Sequence, residues 1–317
     1  MKQKGRKIAR CFVFLFGLLC MLLLLSRLFV PKNNRKEFGM QDVQANGILG
    51  EPENTIEVLV IGDSLAYSGL VPMALWEQYG IPSYVCCTKA QQLPYSASLL
   101  QQALRTQKPK VVLLEANAIY RKITGIEFLV NVSRDSLPVL NYHDRWKSLN
   151  VNDLSGRVEY TWTDDGKGYL FNKKSRPAEK KNYMVPTEET EKIAWLNERY
   201  VSYIAKLCEK NGAELMLYST PSAKCWNYKR HNGIQELADR LSVPYLDMNL
   251  LSDEVAIDWT KDTRDYGDHM NYSGAKKVTQ YLGSYLKAHY ELSDCRDSER
   301  YAKWNDCLAR WKRKVEK

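Results

Sequence analysis

The chain lacks the cysteine spacing that metal and redox sites require. Its 317 residues include eight cysteines but no CxxC pair, so zinc ribbons and thioredoxin-like couples are excluded as first readings. No metal-ligand spacing emerges, and no cofactor is expected. Cys86 and Cys87 fall in a strand pattern, where neighbours point to opposite faces, and both are expected as buried thiols. Cys295 and Cys307 flank a short charged segment, and in an oxidising compartment they are candidates for a disulfide.

Charge of one sign is missing once the chain is divided. Residues 1–40 carry nine Lys/Arg against one acid, which leaves 37 basic and 36 acidic residues beyond them. The net charge of +9 therefore reports membrane topology and gives no reason to expect nucleic-acid binding.

A cleavage site is missing too. Residues 11–30 are almost continuously apolar, about the 20 residues that span a bilayer. The bulky Ser26-Arg27-Leu28-Phe29 that closes this run offers no small-x-small site, and Cys20 follows Leu18-Leu19 instead of the small residue of a lipoprotein signal. An uncleaved anchor is expected over a signal peptide. Lys2, Lys4, Arg6, Lys7 and Arg10 precede it, which holds the N-terminus in the cytoplasm and places the rest outside the cell membrane.

Residues 31–54 lack periodicity and read as a juxtamembrane linker. Beyond it, residues 55–317 read as one domain. Apolar runs at 56–61, 83–88, 111–115, 214–219 and 244–247 predict strands, with amphipathic helices between them. The clearest helix is expected over 187–210, from Thr187-Glu188-Glu189 to the stop at Asn211-Gly212. This alternation predicts an α/β fold, a three-layer α/β/α parallel sheet with its ligand site at the carboxyl ends of the strands. Residues 121–186, polar, aromatic and Gly-rich, break the pattern and read as an insertion bordering the site. Its Tyr and Trp suit sugar contact and suit a surface hairpin equally. The charged tail from 296 onward is expected to pack back through Tyr301, Trp304 and Trp311.

The chemistry-bearing residues are few. The first strand ends in Gly62-Asp63-Ser64, and some two hundred residues later comes Asp265-Tyr266-Gly267-Asp268-His269. A serine hydroxyl is a poor nucleophile until a base takes its proton, and a third group usually orients that base. Ser64, His269 and one of the two aspartates supply those three parts. An N-capping serine is the bland alternative for Ser64.

Gly62-Asp63-Ser64-Leu65 after an apolar strand, with a late acid-His element before a final helix, resembles the SGNH/GDSL hydrolase superfamily over residues 55–290. The resemblance implies a flavodoxin-like sheet with Ser64 as nucleophile and oxyanion donor, and His269 as base. The family's second block normally has a glycine. Here Thr88-Lys89-Ala90-Gln91-Gln92 stands in its place, with Ala90 or Gln91 as the amide donor, Gln91 as a candidate substrate contact, and a simple helix start as the alternative. Asn117, in Leu113-Leu114-Glu115-Ala116-Asn117, matches the third block's oxyanion asparagine, with a turn-forming Asn as its alternative. The family's Asp-x-x-His pattern would put the acid at Tyr266, so either Asp265, through one inserted residue, or Asp268 orients His269; Asp265 is preferred.

The continuation His269-Met270-Asn271-Tyr272-Ser273-Gly274-Ala275 resembles a membrane-anchored branch that includes alginate O-acetylation and teichoic-acid D-alanyl transfer proteins. That implies an extracytoplasmic O-acyltransferase or esterase acting on acylated sugar or cell-wall polymer. A multi-pass membrane O-acyltransferase is the partner it implies. His143, Arg145 and Trp226 are further candidate substrate contacts, His231 a weaker one, and His289 reads as structural. The rival class is a catalytically silent SGNH-like module that binds glycan or scaffolds an envelope complex.

Overall fold

The computed structural model describes residues 2–179 and 182–316; residues 180–181 of the expected insertion and Lys317 of the tail lie outside them. Five strands, β1 (Val58–Gly62), β2 (Ser83–Cys87), β3 (Val111–Glu115), β4 (Glu214–Ser219) and β5 (Tyr245–Asp247), form one parallel sheet in the order β2-β1-β3-β4-β5. Their near-continuous Val, Ile and Leu content follows from burial on both faces. Each overlaps an expected strand. This is the flavodoxin-like order, whose switch point lies between β1 and β3.

The helices are α1 (Lys2–Phe29), α2 (Val43–Asn46), α3 (Ser64–Gly69), α4 (Pro72–Tyr79), α5 (Leu93–Ala103), α6 (Gly125–Ser136), α7 (Val139–Tyr142), α8 (Val151–Ser155), α9 (Trp195–Lys210), α10 (Tyr228–Leu241), α11 (Tyr272–His289) and α12 (Ala302–Glu316). In one layer α11 packs on α3 and α4, with α12 against α4; in the other α9 lies between α5 and α10. The fold is the three-layer α/β/α class expected from the alternation.

The helix expected over 187–210 begins only at Trp195. Residues 187–194 are held extended along α10: Asn232 Nδ2 donates to the Thr187 and Glu189 carbonyls, and Glu191 N donates to Lys229 O. Tertiary hydrogen bonds outweigh the local capping signal there. The expected stop holds, with Gly212 at φ +72° just past the helix end.

Residues 31–54 are not a free linker. Met40, Ala45 and Ile48 are buried, and Asn34 bonds the backbone of Trp162 in both directions. Glu51 pairs with Lys167 at 2.7 Å, both buried. The segment is strapped to the 159–167 stretch, because its polar side chains satisfy backbone groups there.

Among the described residues one helix, Gln3–Phe29, is long and apolar enough to cross a membrane. Cys86 and Cys87 are buried thiols, and Cys295 and Cys307 are free. The tail packs back as expected, with Trp304 against Trp76 and Trp311 against Tyr169, Phe171 and Tyr272.

Candidate active site

The sheet places two loops at its switch point. Gly62 takes φ +151°, and an added Cβ there would come 2.7 Å from Glu115 Cβ; glycine is what lets the end of β1 lie against β3. Asp63 then caps α3, its Oδ1 accepting from Leu65 N at 3.0 Å. Ser64 is the first residue of α3, so capping is not its task, and its amide belongs to a first turn without intrahelical acceptors.

Asp63 is buried and satisfied. Its Oδ2 accepts from Asn117 Nδ2 and from Arg121 Nε, both at 2.7 Å. One amide hydrogen of Asn117 is thereby used and one remains, while Asn117 Oδ1 accepts from Arg230 Nη1 at 3.2 Å. Beneath them Glu115 accepts from the Asn117 and Thr220 amides. Burial, and after it the Asp63 charge, pushes the Glu115 pKa well up.

In the late loop the two aspartates stand at different distances from the histidine. Asp265 Oδ2 lies 2.7 Å from His269 Nδ1, and Oδ1 accepts from the His269 backbone N at 2.7 Å. Asp268 stands 3.5 Å from Nδ1, and its Oδ1 accepts from Cys225 Sγ at 2.7 Å. The extra residue between acid and histidine is absorbed by two consecutive left-handed residues, Tyr266 at φ +65° and Gly267 at φ +92°. Partial burial raises the Asp265 pKa, but the His269 hydrogen bonds together with the His269 and Arg264 charges bring it below the usual carboxylate value. The Cys225 thiol is pushed up to about 12, by burial first and then by Asp268, so it remains a donor.

The remainder of the late motif is structural. Asn271 caps α11 by accepting from Gly274 N at 3.1 Å. Gly274 is required by close approach, since a Cβ would come 2.5 Å from Asp262 O.

The two loops meet. Tyr67, three residues after Ser64 on α3, has its pKa raised by burial and opposed by Arg264, the neighbour of Asp265. Among the described residues the Ser64 hydroxyl makes no hydrogen bond; nucleophile–base bonds are commonly long in unliganded sites. Beside Tyr67 a groove of about 790 Å³ opens along Cys87, Thr88 and Lys89 at the end of β2, with Lys36, Met40 and Trp162 on its other walls.

At the second block, Ala90 holds φ +52°, the left-handed conformation that glycine takes without strain. Gln91 is buried, and its Nε2 donates to Ser96 Oγ and Cys86 O, so its side chain braces the loop instead of facing a substrate. Arg145 is buried and spent on Asp153 and on the Phe29 and Val30 carbonyls. Trp226 is buried with its indole N–H on Asp247 Oδ2, which also meets His231. Arg145 and Trp226 are site candidates by residue type and Gln91 by its place in the second block, but all three are buried and serve packing. His143 is exposed on Leu140 O, and His289 bonds Tyr285 O and stacks on its ring.

Arg121, Arg230 and Cys225 were not singled out from the sequence as site residues. Arg230 lies in the Trp226–Asn232 run of mixed His, Arg and Trp; for Arg121 and Cys225 no local signal exists, since each acts on a group distant in sequence. Among the described residues, Asp265, Asp268 and His269 are the one group whose ligand atoms, all within 4.8 Å, could hold a metal ion. Nδ1 already faces Asp265 there, as in an orienting pair.

No known protein family and no curated protein matches the chain by sequence. Solved structures share its shape loosely. A lipase/acylhydrolase from Enterococcus faecalis is 9% identical, covering 75% of this chain and 99% of its own, at a TM-score of 0.41. A GDSL-like lipase from Bacteroides thetaiotaomicron is 11% identical, covering 74% and 88%, at 0.36, and TesA is 10% identical, covering 73% and 98%, at 0.39. Likeness at this level carries no chemical role over to this chain.

Proposed function

We propose that the chain is a membrane-anchored, extracytoplasmic serine enzyme of the SGNH/GDSL type that handles an acyl group. The observation that carries this reading is the Asp265–His269 pair, held by two 2.7 Å contacts, on the loop that leads into α11, the helix packed on the α3 that Ser64 begins. With Nδ1 facing Asp265, Nε2 is left to act as the base.

His269 Nε2 takes the Ser64 proton as Oγ attacks an acyl carbonyl. The oxyanion is held by the Ser64 amide, the remaining Asn117 amide hydrogen and the Ala90 amide. His269 then returns the proton to the leaving oxygen, and the Ser64 acyl ester is attacked by water or by a sugar hydroxyl. Water makes the protein an esterase, and a polymer hydroxyl makes it an O-acyltransferase. The anchor and the His-x-Asn-x-x-Gly-Ala stretch favour the transferase, acting on cell-surface polysaccharide or cell-wall polymer beside a multi-pass membrane O-acyltransferase.

One observation favours a second reading, a silent module that binds glycan or scaffolds a complex: the Ser64 hydroxyl has no bonded base. Labelling of the full-length chain with a fluorophosphonate separates the two. The enzyme reading expects labelling that vanishes in Ser64→Ala and collapses in His269→Ala. A folded protein that neither labels nor releases acetate from acylated sugars would refute it.

A further inference from the structure

The apolar stretch of residues 11–30 is about 30 Å long at 1.5 Å per residue, the thickness of the hydrocarbon layer. The insertion does not stay clear of that stretch. α7, α8 and the turn His143–Lys147 pack on α1. Val139 N donates to Ser26 Oγ, and Arg145 donates to the Phe29 and Val30 carbonyls. A cleft of about 500 Å³ separates Cys20, Leu23 and Leu24 of α1 from Ser136 and Pro138. Leu23 lies about 10 Å along the helix before Val30. The insertion beside it therefore lies below the level at which α1 would leave the bilayer.

Those same elements expose apolar side chains. Leu140 is 46% exposed, Trp146 64%, Val151 77% and Leu154 74%. Trp146 carries Lys147 over its ring, and such aromatic and cationic pairs suit the membrane–water boundary. Apolar groups at this depth, continuous with a spanning helix, have lipid as their neighbour.

We propose that α7, the 143–147 turn and α8 form a collar seated in the bilayer leaflet around the outer end of α1, with lipid as its partner. This rests on reading α1 as a bilayer span. The collar also fixes the candidate groove near the membrane: Gln41 Nε2 donates to Asn141 O at 2.8 Å, and the Tyr142 hydroxyl meets Met40 Sδ at 3.6 Å. Met40 and Gln41 line the groove. The substrate is thus one presented at the membrane surface.

The test places the full-length chain in nanodiscs whose lipids are brominated along the whole acyl chain, from beside the head group to the tail end, so that both the collar and the middle of α1 lie within reach of bromine. The Trp146 signal is the emission lost in Trp146→Phe, and Leu154→Trp in that background is a second reporter. Leu19→Trp reports on α1 itself. The collar expects most of the Trp146 and Leu154→Trp emission to be lost to the brominated lipid. Quenching of Leu19→Trp alone overturns the collar and leaves the anchor standing, whereas quenching of none of the three overturns both.

Discussion

Asp265 grips His269 twice, one carboxylate oxygen on the imidazole Nδ1 and the other on the backbone amide, both at 2.7 Å. Asp268, next in sequence to the histidine, is instead engaged by Cys225. The two carboxylates therefore have different nearest partners, the histidine for Asp265 and the Cys225 thiol for Asp268.

Asp265→Asn should lower turnover by about 10²–10⁴-fold, since the neutral amide no longer favours the imidazolium that forms in the transition state. Asp268→Asn should cost about tenfold or less, through loop disorder only. Steady-state kinetics on an activated acyl ester measures both, and the reverse order would reassign the acid.

The lowered Asp265 pKa also makes a stability statement. Its contribution is fully present above the unfolded-chain value of about 4 and is lost as pH falls through the lower folded value. Urea midpoints measured on acidification across that window should fall less steeply in Asp265→Asn than in the parent. Equal slopes would show that the pair does not stabilise the fold.

Asn117→Ala should reduce kcat by about 10²–10³-fold with little change in KM, the signature of an oxyanion donor. The same change strips one partner from buried Asp63, so the melting temperature must be recorded alongside. Loss of stability without loss of kcat per folded molecule would make Asn117 purely structural.

Lys167→Met leaves Glu51 buried without its cation, which should destabilise the protein by about 3–5 kcal/mol. Pairing it with Glu51→Leu should recover much of that loss. Denaturant titration of the single and double variants reads the difference, and a neutral single variant would mean that residues 31–54 are not fastened through this pair.

The strands were legible because both-face burial writes itself as short Val/Ile/Leu runs, and 111–115 and 214–219 match the folded bounds. Gly62-Asp63-Ser64 was legible because a strand-to-helix turn draws a glycine and short polar residues in local order. The helix start at 187 misled, since Thr187-Glu188-Glu189 is a good local cap that Asn232 and Lys229 override from another element. Residues 31–54 misled for the same reason: a strap fastened by polar groups to a distant backbone has no periodicity to read.

The sequence by itself determined the α/β class, the long apolar helix near the N-terminus and the candidate serine and histidine, all of which depend on local composition and order. Which aspartate faces His269, that Asp63 and not Ser64 caps α3, and that Arg145 closes the end of α1 were decided only by tertiary structure. Each depends on a backbone turn or a partner tens of residues away, and the left-handed pair Tyr266-Gly267 has no signature that spacing could reveal.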